Sequence, residues 1–296
     1  MRYSLAAIAA FAASTSAHGV ITAVQGANGV NMPGLSVQDG TPRDCATPKC
    51  GSEADTSIIR TREMGGKASA LGRTNGGGAV DAGAAIAAFM GTGGAAAAAP
   101  AAGTAGTAGA TGAATQGAAG AATAGAATTK RQSTKGTKTP KGTTENSVAA
   151  AAGAGAASGL PTTADDGTIT MTFHQVNQDG AGPLTAAIDP TSGGTDPAAF
   201  QDAKVTQNVP GIGIGGLSAA TTTDFPVKVQ MPQGMTCSGT AGGASNVCIV
   251  RMQNSALAGP FGGSAAFTQS AAAKKRAVEY NLRKRHMARG ILGKPE

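Results

Sequence analysis

Between residues 91 and 160 the chain is almost wholly Ala, Gly, Thr and Ser, and this tract limits the fold more than any other feature. Side chains so small bury too little apolar area to offset the entropy of ordering the backbone. The recurrent Gly also works against an Ala-rich helix. The tract therefore reads as a disordered, low-complexity insert carrying a basic patch at Lys130, Arg131, Lys135, Lys138 and Lys141. Its ends would sit about 45 Å apart if unconstrained. Setting it aside leaves about 180 residues, enough for one real core. They fall into a first part, 18–90, of mixed composition, and a second part, 161–270.

The second part carries the clearest periodicity. In Thr168–Val176, Ile169, Met171 and Phe173 alternate with Thr170, Thr172 and His174, the pattern of a strand with one apolar face. Phe225, Val227, Val229 and Met231 alternate with Lys228 and Gln230, and Val247–Met252 is a shorter apolar run. Turn signals such as Asp189-Pro190 and Val209-Pro210-Gly211 punctuate the rest. Short strands between such turns predict an all-β fold, an immunoglobulin-like antiparallel sandwich with long loops.

The two ends of the chain differ from its body. Arg2, the apolar run Leu5–Ala13 and the small residues Thr15-Ser16-Ala17 read as a signal peptide over 1–17, so secretion and a mature chain beginning at His18 are expected. That run is too short to span a bilayer, and no other stretch is suitable. At the other end, 271–296 is a basic tail or short helix with eight basic and two acidic residues. Within it, Lys275-Arg276 and Lys284-Arg285 are dibasic pairs of the kind cut in the late secretory pathway. Residues 161–270 hold three basic against seven acidic residues, so the overall charge of +7 does not describe the body. With no Trp and two Tyr besides, a nucleic-acid partner is not expected.

Four cysteines, Cys45, Cys50, Cys237 and Cys248, form two pairs close in sequence. An even count in an exported chain argues for two disulfides. Local pairing, Cys45 with Cys50 and Cys237 with Cys248, is the expectation, although loop entropy alone leaves a cross-pairing open. The spacing does not suit zinc.

Two of the three histidines bear on chemistry. Cleavage before His18 would place an α-amine and an imidazole nitrogen on one residue, a chelate suited to copper. His174, on the polar face of a strand, offers a third nitrogen. This pattern resembles the histidine brace of lytic polysaccharide monooxygenases, secreted copper enzymes with a β-sandwich body. The resemblance implies copper as cofactor, a polysaccharide substrate in a fungal or host cell wall, and a ring on the metal axis. Phe267 is the first candidate for that ring and Phe261 the second, with Gln269 as a supporting donor. The shortage of aromatic residues weighs against a glycan-stacking face. His286 lies in the basic tail and reads as solvated.

Other chemistries are weaker. Asp165-Asp166 and Asp179 offer paired carboxylates, but Asp166-Gly167 and Asp179-Gly180 read first as turns. The Gly-rich run 211–216 is followed by no helix that would hold a phosphate.

Longer strings carry a more specific resemblance: Arg43-Asp44-Cys45 through Ala54-Asp55, Gly66-Lys67 through Arg73-Thr74, Phe173-His174-Gln175 through Gly182-Pro183, and Asn254-Ser255 through Gly262-Gly263. These are similar to the fungal appressorial virulence-factor family, the Gas-like and Egh-like secreted surface proteins. The resemblance implies a cell-surface protein with a part in host penetration and no settled reaction. The long Ala/Gly/Thr insert departs from that pattern.

Overall fold

The computed structural model describes residues 18–93, 136–178, 180, 182–211, 218, 220–256 and 258–288. The expected signal peptide therefore lies outside the described residues, as do Asp179 and most of the insert.

Eight strands carry the fold: β1 (Gly19–Gln25), β2 (Asn31–Pro33), β3 (Thr168–Gln175), β4 (Thr185–Asp189), β5 (Gln201–Gln207), β6 (Thr223–Gln230), β7 (Ala244–Gln253) and β8 (Phe261–Phe267). They form one curled sheet in the order β2-β1-β3-β6-β5-β4-β7-β8, extended past β8 by the two-residue strands Ser57–Ile58, Arg73–Thr74 and Gly78–Ala79. Every pairing in that order is antiparallel. The expectation of an all-β, sandwich-like fold is met.

The alternation read from the sequence is the one the sheet uses. Ile169, Met171 and Phe173 of β3 and Phe225, Val227 and Val229 of β6 are buried in one cluster with Ile21, Ile188, Ile249, Met252 and Phe267. Burying each such side chain contributes about 1.5–3 kcal/mol. The curl then brings β1 back over β8. There the Leu35 N–H donates to the Ser264 carbonyl at 2.9 Å, and a Cβ on Gly263 would lie 2.7 Å from the Ile21 main-chain nitrogen. All seven residues of β8, Phe-Gly-Gly-Ser-Ala-Ala-Phe, are buried. Their small size follows from that close approach and hides the strand from periodicity.

Both local disulfides form. Cys45–Cys50 closes a short loop, and Cys237–Cys248 ties the turn before β7 to β7 itself.

Residues 136–160, grouped by composition with the disordered insert, are structured. Thr137–Lys138 pairs with β6. The Asp39 carboxylate accepts from the N–H groups of Val148 and Ala149 at the start of the short helix Ser147–Ala151. Glu145 joins Asp55 on the buried Arg43 guanidinium, at 3.1 and 2.6 Å. A few polar anchors order a segment whose own apolar area is slight. The helix α1 (Ala82–Met90), capped by Asp81, packs Ile86 and Phe89 into the core.

The basic tail begins as a helix, α2 (Ala271–Ala288). The Ser270 hydroxyl accepts from the Ala273 N–H and donates to Asp165, the role of an N-cap. Ala273 and Ala277 are buried against the body, and the Asn281 amide donates to the Gly234 carbonyl at 2.8 Å. A cleft of about 510 Å³ runs along this helix, lined by Asp166, Met231, Gly234, Arg276, Tyr280 and Arg283 among others. Among the described residues, no helix is long and apolar enough to cross a membrane.

Candidate functional site

His18 stands at the entrance to β1, and its main chain extends the β1–β3 ladder, its carbonyl accepting the Val176 N–H at 3.0 Å. Just beyond β3 the chain turns sharply, the Gly180 N–H donating to the Asn177 carbonyl. A Cβ on Gly180 would fall 1.9 Å from the His18 oxygen, so only glycine allows the turn to close on His18. That turn presents Asn177, whose side-chain oxygen accepts from the His18 N–H at 2.9 Å.

Three of the family-like strings meet here. From the first, Glu53 places a carboxylate oxygen 3.3 Å from the His18 Nδ1. From the third, the Asn177 amide donates to that same oxygen at 3.1 Å. From the fourth, the Phe261 ring lies against the imidazole, centroids 4.4 Å apart and planes tilted by 37°. The loop before Phe261 is pinned by Arg60, which donates to the carbonyls of Gly259 and Ala258. Burial pushes the Glu53 carboxyl up to about 7, against the lowering effect of the Asn177 amide. His18 itself is 5 % exposed.

His174 is fully buried. Its Nδ1 is 2.7 Å from an Asp224 carboxylate oxygen across the β3–β6 ladder, and among the described residues its Nε2 has no hydrogen-bond partner. A carboxylate on one ring nitrogen sets the tautomer and aims the other. The register pairs Gly19 with Gln175 and Val20 with His174. By the parity of the ladder, His18 and His174 are diagonal neighbours on one face, with Cα atoms about 7–8 Å apart. Among the described residues, no three His, Cys, Asp or Glu side chains gather as a metal site. The nitrogens that could hold a copper ion are the His18 main-chain nitrogen, once freed as an amine, the His18 ring and the buried His174 Nε2.

Phe267 and Gln269 lie elsewhere. Phe267 is a core residue at the far end of β8, cross-paired with Cys248 and about 20 Å along the strand from Phe261. Gln269 donates to the Met235 carbonyl and accepts from the Cys237 N–H. The ring against His18 is Phe261. Asp165 and Asp166 serve turns and caps, Asp166 accepting from the Thr168 N–H and Asp165 from Ser270. The sequence reading missed Glu53, Asn177 and Asp224. Each sits within or beside a motif it had singled out, but nothing in a single sequence pairs them with a histidine.

Comparison with known proteins bears on the same residues. The chain is 60% identical over 294 residues to the appressoria-specific virulence factor GAS2 of Pyricularia oryzae, covering 98% of this chain and 97% of that protein. It is 40% identical over 129 residues to the appressoria-specific virulence factor GAS1 of the same fungus, covering 42% and 50%. No solved structure matches it. The Egh16-like virulence factor family matches residues 16–262, a span holding the first three strings, the fourth as far as Gly262, and Glu53, Asn177 and Phe261 around His18, and the chain belongs to that family.

Proposed function

We propose that this protein is secreted to the surface of fungal infection structures and acts there in appressorium-mediated host penetration. The observation that carries this reading is the 60% identity over nearly the whole length to a protein named an appressoria-specific virulence factor. Two disulfides fit an oxidising, extracellular setting. The test is deletion of the gene in its source organism. Appressoria should form in normal number but breach host epidermis less often, and the full chain should restore penetration while a chain lacking residues 1–17 should not. Penetration at the wild-type rate would overturn the reading.

A second reading concerns chemistry. Cleavage after Ala17 would free the His18 amine beside its own ring, and with His174 Nε2 these would hold a single copper ion. Copper so held supplies one-electron chemistry of the kind used to oxidise cell-wall polysaccharide. The chain's own residues would prepare the site: Asp224 fixes the His174 tautomer, Asn177 orients the His18 nitrogen, Phe261 shields one side of its ring, and Glu53 stands ready to accept or return a proton near neutral pH. The observation favouring this reading is the buried His174 Nε2, which has no partner among the described residues. Titration of the mature chain with Cu(II), followed by electron paramagnetic resonance, should show one site with nitrogen hyperfine structure, lost in both His18→Ala and His174→Ala. Loss in neither variant would remove the copper reading and leave the first untouched.

A further inference from the structure

Neither reading uses the two Lys-Arg pairs in the tail, Lys275-Arg276 and Lys284-Arg285, and the structure treats them very differently. Both lie in α2. Lys275-Arg276 falls between Ala273 and Ala277, the two residues that bury the helix against the body. The Asn281 amide, held on the Gly234 carbonyl, fastens the helix again one turn later. Arg276 itself lines the cleft together with Asp166. Lys284-Arg285 comes after Asn281, and every residue from Leu282 to Met287 is exposed.

An endoprotease takes its substrate as an extended segment of several residues, so a helical site is cut only from a locally unwound state. Where opening is fast, the cutting rate follows the population of that state. Unwinding around Arg276 withdraws Ala273 and Ala277 from the core and breaks the Asn281 contact. Among the described residues, unwinding around Arg285 withdraws no buried side chain, since Leu282 to Met287 are all exposed.

We propose that a Lys-Arg-specific endoprotease hydrolyses the Arg285–His286 peptide bond and spares the Arg276–Ala277 bond. Water is the co-reactant: the scissile C–N bond breaks, Arg285 keeps a new carboxylate and His286 a new amine, and nothing is oxidised or reduced. The cut leaves the N-cap, both buried alanines, Asn281 and the cleft residues Arg276 to Arg283 in place. Processing in the cell rests on the secretion reading, whereas the choice between the two bonds does not.

Purified full-length chain treated with a kexin-type protease, with products weighed by mass spectrometry, tests that choice. Cutting after Arg285 should be at least ~10-fold faster than after Arg276. Arg285→Gln should abolish the fast cut, and Arg276→Gln should leave it unchanged. Asn281→Ala should speed cutting after Arg276, with circular dichroism confirming that the variant remains folded. Equal rates at the two bonds, or a faster cut after Arg276, would overturn the proposal. Chain recovered from the medium of strains with and without the protease separates the two readings. Secreted chain that keeps Glu296 in the protease-positive strain overturns processing, and chain retained in the cells overturns secretion.

Discussion

Asp189 ends β4, and its carboxylate accepts from the N–H groups of Thr191, Ser192 and Gly194 as well as the Ser192 hydroxyl. Burial alone would raise its pKa. The Ser192 hydroxyl and these main-chain N–H groups outweigh that and hold the carboxyl below its usual range. A folded value below the unfolded one means stability that is complete above the unfolded pKa of about 4 and is lost as pH falls through the folded value. Asp189→Asn turns an amide NH₂ toward N–H donors and should destabilise the protein at pH 7 by about 2 kcal/mol. Urea unfolding at a series of pH values should also show a shallower acid loss in the variant, and parallel acid profiles would count against this account. In the sequence, Asp189-Pro190 read simply as a turn. That was correct about its place and silent about its donors, because those depend on how the following loop folds back.

At the scale of elements, strands were legible where one face meets the core and the other meets polar surroundings. That describes β3 and β6. It fails for β8, buried along its whole length and built of residues small enough to lie against β1. It fails also for β5, whose alternation is between exposed and half-exposed positions with little apolar contrast. The Cys237–Cys248 bridge was legible because both cysteines flank one hairpin. Replacing both by Ala should cost about 2–3 kcal/mol by the loop-entropy relation, read as a fall in thermal midpoint under non-reducing conditions. An unchanged midpoint would mean that strand pairing between Gly239–Ala241 and β7 already restrains that turn.

For the whole molecule the decisive contact is the return of β1 onto β8. Gly263→Ala would drive a methyl group into the β1 backbone at Ile21, which cannot move without disturbing its ladder with β3. A loss of about 1–3 kcal/mol in urea unfolding is expected, as for overpacking elsewhere. The buried Arg43 guanidinium makes a second long-range tie, joining Asp55 to Glu145 in the structured end of the insert. Removing one member of a buried ion pair leaves a charge without its partner, so Glu145→Ala should cost about 3–5 kcal/mol, unless Asp55 alone satisfies Arg43. A loss well below that range in urea unfolding would show that Asp55 alone satisfies Arg43.

Sequence by itself determined the β class, the even cysteine count that allows two disulfides, and the family, because each rests on residue types or spacings that are local. Tertiary structure alone decided what surrounds His18. Glu53, Asn177 and Phe261 come from three separate stretches and meet only because the sheet curls, so no local pattern encodes their meeting. The same holds for Phe261 over Phe267. The two are equivalent as aromatic residues at the ends of one strand, and the direction in which that strand crosses β1 puts one beside the histidine and the other in the core.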